Sequence, residues 1–394
     1  MGALGKIASV PRWFFSSSLV LKDATVTQEF EPRRVMASLE QLASLDSMEG
    51  ITQAEVSPPT PFFERFVGGK LIYAVYPGVL VALTIALAST WLSEEYNAPV
   101  MLFALLFGMS FHFLSEEGRC VAGIEFAARN VLRFGVALLG ARITVGQIAE
   151  LGVGPVVMVL GGVATTIAIG WGLSRVLKLK SAFGVLSGGA VAICGASAAL
   201  AIASVLPRSD AAERDTILTV VSVTALSTLA MVLYPAFVTV FGLSNGDAGI
   251  FLGGTIHDVA QVIGAGYMVS EETGDISTII KLLRVATLVP VVLVIAVVVS
   301  RMSLQKSSSR PPFPLFLLGF AAIVSVNSTG VVPSEILDGL VTVSRWCLVT
   351  AIAALGMKTS FKALLQVGWR PVGLLVGETI WIALFVLTAI LFIL

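Results

Sequence analysis

The chain has 394 residues, 56% of them hydrophobic and 13% charged, with balanced formal charge and a mean hydropathy of +0.93. Soluble domains carry about 25% charged residues, so this composition excludes an ordinary soluble domain and indicates a polytopic, all-α membrane protein, while zero net charge argues against nucleic-acid binding. Cys120, Cys194 and Cys347 lack ligand spacing and the histidines are only His112 and His257, which argues against a disulfide framework, a metal centre or a cofactor.

Residues 1–64 are rich in Ser, Glu and Pro and end near the turn-forming Ser57–Pro61 stretch, so they are predicted to be a disordered or loosely helical cytosolic lead. Arg12, Trp13, Phe14, Phe15 and the serines that follow resemble a targeting segment, but the apolar run is short for a secretory signal. From residue 65 to 394 the chain is a transmembrane domain. Apolar runs near membrane length fall at 70–91, 98–114, 124–141, 153–174, 181–206, 215–241, 248–269, 277–300, 313–332, 336–357 and 371–393, about ten or eleven spans in all. If all cross, Arg175, Lys178 and Lys180, then Arg301, Lys306 and Arg310, then Lys358, Lys362 and Arg370 share one side. Glu94 and Glu95, then Glu271, Glu272 and Asp275, then Glu335 and Asp338 share the other, which predicts a cytoplasmic N-terminus in a bacterial inner membrane.

One offset relates two parts of the chain. Arg129, Ala137, Leu139, Gly140, Gly152, Pro155, Val156 and Gly161 recur 216 residues later as Arg345, Ala353, Leu355, Gly356, Gly368, Pro371, Val372 and Gly377. Arg142 and Thr144 answer to Lys358 and Ser360. The paired spans lie an odd number of crossings apart, the pattern of an inverted repeat in alternating-access carriers.

Two Gly-paired stretches bring polar groups to membrane depth: GGAVAICGASA from Gly188 and GGTIHDVAQVIGAG from Gly253. An unpaired peptide group in hydrocarbon costs several kcal/mol, so helix-weakening sequence there must be buried in protein or line a cavity. Gly188 and Gly189 are expected to release the first helix, leaving Cys194, Gly195 and Ser197 to offer a thiol, bare backbone and a hydroxyl; a small-residue packing face is the alternative. In the second stretch Gly253 and Gly254 precede His257, Asp258 and Gln261. An adjacent imidazole and carboxylate are expected to form a proton site with Gln261 on the same face, unless the segment lies at an interface. Lys281 and Arg284, three residues apart on one helix face, are positioned either to neutralise an oxyanion or to snorkel to the interface. Arg129, Arg133, Arg345 and Glu378 are further charges in or near spans, which charge balancing between helices explains at least as well as cargo binding.

Val131–Thr144, Cys194–Ala198, Gly253–Gly266 and the Lys281–Arg284 pair, taken in order, resemble the YeiH-type sulfate exporter family of bacterial membrane proteins (UPF0324-like), and the resemblance covers about residues 70–394. It implies membership of the wider cation/proton antiporter and bile-acid-symporter-like carriers, with inverted repeats, a panel and a core, and two broken crossing helices formed by the Gly-paired stretches. The offset of 216 does not superpose those two stretches, so a simple five-plus-five arrangement is permuted or extended here.

The expected function is secondary active transport of a small oxyanion, as in sulfate or sulfonate export, coupled to H+ or Na+, and not an enzymatic one. The expected partners are the anion, the coupling ion, the lipid bilayer and a second copy in a homodimer. A sodium/proton antiporter is the nearest alternative and a passive channel another. An intramembrane hydrolase using Ser197, His257 and Asp258 is remote, because Ser197 lacks the second Gly of a G-x-S-x-G elbow and adjacent helical residues diverge by about 100°.

Overall fold

The computed structural model describes residues 69–96, 98–207, 210–302, 315–359 and 368–392. The N-terminal lead and, among the residues used above for topology and repeat, Lys306, Arg310, Ser360 and Lys362 lie outside the described residues. What is described is helical, with no strand among it. The helices are α1 Gly69–Tyr96, α2 Val100–Ser110, α3 Val121–Phe126, α4 Leu132–Leu139, α5 Val145–Glu150, α6 Gly154–Val176, α7 Ser181–Ala192 and α8 Ala196–Ala203. They continue as α9 Asp210–Val240, α10 Asn245–Thr255, α11 Val259–Val269, α12 Glu271–Ala286, α13 Leu288–Met302, α14 Leu315–Ser328, α15 Ser334–Lys358 and α16 Trp369–Phe392.

Every predicted span coincides with helix, but among the described residues six stretches are long and apolar enough to cross a membrane: Ile72–Tyr96, Gly154–Val176, Ala212–Val240, Glu271–Arg301, Ser334–Lys358 and Trp369–Phe392. The remaining spans are shorter or interrupted. Two of them break midway, at Ile193–Gly195 between α7 and α8 and at Ile256–Asp258 between α10 and α11. Charges sit where helix dipoles favour them, with Glu271 and Glu272 in the first turn of α12, Glu335 in that of α15, and Arg175, Arg301 and Lys358 in the last turns of α6, α13 and α15. Large apolar side chains such as Tyr73, Leu80, Leu87 and Trp91 of α1 and Leu293, Val294, Val297 and Val298 of α13 stay exposed, as lipid-facing residues must.

The helices sort into two groups by their neighbours. One gathers α1, α2, α3, α4, α14 and α15; the other gathers α6 to α12 and α16, and α11 also touches α2 and α15 of the first group. In lipid, helices gain little from hydrophobic burial against one another, and small residues that admit close backbone approach take over. In the first group Gly356 of α15 meets Leu105 and Gly108 of α2; in the second, Gly170 of α6 meets Gly184 and Gly188 of α7.

The offset repeat has structural counterparts. Gly152 and Gly368 both take positive φ, +70° and +92°, immediately ahead of α6 and α16, in a region open to glycine and costly for side chains. Pro155 and Pro371 follow in the first turns of those helices, and the two helices pack together, with Trp381 Nε1 donating to Thr165 Oγ1 at 3.3 Å.

A Cβ on Gly356 would lie 2.4 Å from the Leu105 carbonyl oxygen, whereas one on Gly339 of the same helix would meet nothing within 4 Å. Gly356→Leu is therefore expected to cost at least the ~1–3 kcal/mol of an overpacked site, seen as a lower thermal unfolding midpoint in detergent by tryptophan fluorescence. Gly339→Leu is expected to leave the midpoint unchanged or to raise it, since Gly is a poor helix former.

Candidate functional site

The two breaks meet each other. Gly195, with φ +65° and ψ −124°, ends the first one, and a Cβ placed on it would be 3.8 Å from His257 in the second. That backbone conformation is close to glycine-only, so Gly195 is what interrupts the first helix. The second break is ended by Asp258, an extended N-cap whose Oδ1 accepts the Val259 N–H at 2.9 Å.

The Gly doublets are not where the helices part, contrary to expectation. Gly188 and Gly189 lie in the last turns of α7 and Gly253 and Gly254 in those of α10, two to five residues ahead of the breaks. Their missing side chains make room for neighbours: a Cβ on Gly189 would fall 2.2 Å from Ile202 Cδ1, one on Gly253 2.5 Å from the Ser277 carbonyl oxygen, and one on Gly254 3.0 Å from Val386.

A helix that stops leaves its last carbonyls without amide donors, and both stop in protein with no water-exposed backbone. Lys281 and Arg284 of α12 supply the donors. Lys281 Nζ donates to Ile193 O at 2.6 Å, to Ile256 O at 3.0 Å and to His257 O. Arg284 donates from Nε to Ala192 O and from Nη2 to Val191 O, each at 2.8 Å, and from Nη1 to Gly253 O and Ile256 O, each at 3.1 Å. Both side chains are buried, 0% and 1% exposed, so they neither snorkel nor stand open to a ligand. Two helix C-termini carry about half a negative charge each, which opposes the two cations, and the carboxylate of Asp258 adds to it at the adjacent residue.

His257 and Asp258 share neither a hydrogen bond nor a direction. The buried imidazole reaches back to Val191 O through Nδ1 at 3.2 Å and to Thr379 Oγ1 of α16 through Nε2 at 3.0 Å. A carbonyl only accepts, so Nδ1 carries a hydrogen, while Thr379 Oγ1, which meets Nε2, also donates its own hydrogen to Leu375 O at 2.7 Å. Asp258 is half-buried on the opposite side, where its N–H meets Ser227 Oγ of α9 at 3.0 Å. Gln261 follows Asp258 rather than His257, with Nε2 on Thr228 Oγ1 at 2.8 Å and a buried Oε1 that has no partner. Extended backbone at Ile256 and Asp258 rotates the two side chains apart, which helical spacing did not anticipate.

The N-terminus of α8 has no side-chain cap. Beside it Ser197, half-buried, shares a hydrogen bond of 2.8 Å with buried Cys194 Sγ, and Ser197 Oγ also donates to Cys194 O at 3.3 Å. Neither of its hydrogen bonds reaches His257, so the Ser–His contact of a hydrolase is not formed. The crossover thus has two unlike faces: carbonyl ends held by cations behind, and helix N-termini with Ser197, Asp258 and Gln261 in front.

A second polar assembly, which sequence patterning did not single out, joins the two helix groups. Arg142, just past α4, pairs with Glu271 at 2.5 Å and Asp275 at 2.9 Å, and Tyr267 of α11 donates to Asp275 at 2.6 Å. Alternation of charge along the chain places these residues on one side of the membrane but says nothing of their pairing. Asn327 Nδ2 donates to Ile143 O at 3.0 Å, and the Val145 N–H donates to Ser328 Oγ at 2.8 Å. Arg129 pairs with Glu125 one turn away at 3.2 Å, and Arg345 is exposed.

Comparison with known proteins agrees in coverage. Residues 77–375 match the family model described as "Conserved hypothetical protein 698". A UPF0324 membrane protein of Chlorobaculum tepidum is 57% identical over 319 residues, 80% of this chain and 89% of its own length. The UPF0324 membrane protein TauZ of Paracoccus pantotrophus is 48% identical over 320 residues, 80% of this chain and 95% of its own. One from Bacillus cereus is 34% identical over 300 residues, 74% of this chain and 84% of its own. No solved structure matches.

Replacing Lys281 by Met would leave two carbonyls, Ile193 O and His257 O, short of a donor, at about 1–3 kcal/mol each when buried, while Ile256 O keeps Arg284. Lys281→Met and Arg284→Met are therefore expected to lower the unfolding midpoint severely, and Asp258→Asn only slightly. Equal midpoints for Lys281→Met and wild type in detergent melts would mean that the cations do not hold the breaks.

Proposed function

Since the chain belongs to the UPF0324 family of membrane proteins, we propose that it is a secondary active transporter for a small oxyanion, sulfate or an organic sulfonate, coupled to H+ or Na+. The observation that carries the reading is the meeting of two interrupted helices, with the carbonyl ends of both neutralised by one helix. Discontinuous helices crossing at depth are how many carriers hold cargo between alternately opened halves. With Lys281 and Arg284 engaged behind the crossover, the anion is assigned to the uncapped N-terminus of α8, where free N–H groups, the helix dipole and Ser197 favour negative charge. Gly195 and Cys194 shape that end, and Asp258 and Gln261 flank it. The second group of helices would move against the first, with the offset repeat forming an inverted pair. The reading has the chain in a bacterial inner membrane with its N-terminus in the cytoplasm, supported by the alternation of basic and acidic loops along the sequence.

A sodium/proton antiporter is favoured by one observation: the carboxylate in front of the crossover is Asp258, whose Oδ1 accepts the Val259 N–H and which has no hydrogen bond to a basic side chain among the described residues. The oxyanion reading is preferred because it uses the positive N-terminal end that Asp258 leaves unoccupied.

Purified protein in liposomes is expected to take up labelled sulfate or a labelled alkyl sulfonate when a pH or sodium gradient is imposed, and Asp258→Asn is expected to abolish the gradient dependence. Uptake indifferent to both gradients and to Asp258→Asn would defeat coupled anion transport. Proton movement on sodium addition with no anion present would establish the antiporter instead.

A further inference from the structure

Glu378 occupies the tenth position of α16, an apolar helix of 24 residues in which it is the one acidic side chain. It is 0% exposed. Its Oε1 accepts from Ser187 Oγ of α7 at 2.7 Å, and its Oε2 is buried with no hydrogen-bond partner. The fit around it is close: a Cβ on Gly170 of α6 would stand 2.5 Å from Oε1, and one helical turn away Thr166 presents a hydroxyl that is likewise buried and unpartnered.

No cation answers this carboxylate among the described residues. Of the helices packed against α16, α7 has no charged residue; α6 has Arg175 in its last turn, stacked on Trp171 at 3.7 Å. Asp247, in the first turn of α10, is bonded to Ser244, and Glu213, Arg214 and Asp215 lie in the first two turns of α9. None of these pairs with Glu378. His257 meets α16 at the following residue, Thr379, through its Nε2. An ionised carboxylate buried without a counter-charge is among the costliest arrangements in a protein, and its charge is more cheaply removed than kept.

From this geometry we propose that Glu378 is a proton-binding site, distinct from the crossover, and that it carries a coupling proton of the transport cycle in addition to the ion held at Asp258. The proton resides on Oε2 while Ser187 holds Oε1. Binding converts the carboxylate to a neutral acid with no other bond made or broken. Release requires water to enter the seam between α6, α7 and α16, so the charge state of Glu378 is tied to how these helices sit. A metal ion fits poorly, since no group of three metal-ligating side chains lies among the described residues. The carrier role rests on the transport reading above; proton binding does not.

Infrared spectra of the protein in lipid nanodiscs, wild type against Glu378→Gln, test the binding. A protonated-carboxyl C=O band at neutral pH that vanishes in Glu378→Gln is expected; its absence from wild type overturns the proposal. Gln keeps the shape and the neutral state, so Glu378→Gln is expected to unfold no earlier than wild type, whereas a marked drop would mean an ionised, structurally held carboxylate and would also overturn it. In liposomes containing a pH-sensitive dye, sulfate addition is expected to move protons with wild type and not with Glu378→Gln, while sulfate counterflow persists in both. Unchanged proton movement in Glu378→Gln overturns the carrier role. Absence of sulfate flux in wild type removes the transport reading and the carrier role together, and the infrared band still decides whether Glu378 binds a proton.

Discussion

Hydrocarbon does not forgive a carbonyl without a donor, and the crossover in this protein exists because α12 supplies donors to two interrupted helices at once. Lys281 and Arg284, three residues apart and so on one face of α12, reach Val191, Ala192 and Ile193 on one side and Gly253, Ile256 and His257 on the other. Arg contributes a planar fork that binds several carbonyls in fixed directions, and Lys a compact ammonium that serves three around a point. Every other property of the site follows from that clasp. The negative ends of the half-helices are neutralised out of reach, and their positive ends are left facing the half-buried Ser197 and Asp258.

The clasp also fixes what can move. α12 is bound to α7, to α10 and to both breaks by charge-assisted hydrogen bonds, which are stronger than neutral ones, so the crossover belongs to a single helix group. The other group, around α15, is joined to it through α11 and through Arg142 with Glu271 and Asp275. Side chains of Arg142, Glu271 and Asp275 are 29%, 60% and 21% exposed, and ion pairs that solvated contribute little net stability. A connection of that kind can open and reform, whereas the buried cations cannot be withdrawn without exposing carbonyls.

Much of this was legible from sequence. Apolar runs located the helical segments, since the length of a span is dictated by bilayer thickness. Intramembrane polar residues located the crossover, since such groups are rarely tolerated without a role. The break positions were missed by two to five residues because doublets such as Gly188 and Gly189 serve packing and only Gly195 needs positive φ, a distinction that depends on neighbours such as Ile202. His257 and Asp258 were expected to cooperate because they are adjacent, yet non-helical backbone sends one to α16 and the other toward α9. Lys281 and Arg284 were recognised as important but assigned to a ligand, because carbonyls as partners leave no mark in a sequence. Glu378 was read as charge balance, and only the absence of a cation around it in three dimensions says otherwise.

The central claim is that the front of the crossover, at membrane depth, is reached by water while its back is sealed. Reaction of single cysteines with a membrane-impermeant thiol reagent measures this directly, in a background where Cys120, Cys194 and Cys347 are replaced by Ala. Ser197→Cys should react from one side of the membrane, and Ala192→Cys, at the carbonyl end held by Arg284, should not. A Ser197→Cys protein that stays unmodified from both sides, or an Ala192→Cys protein that reacts equally fast, would contradict the account.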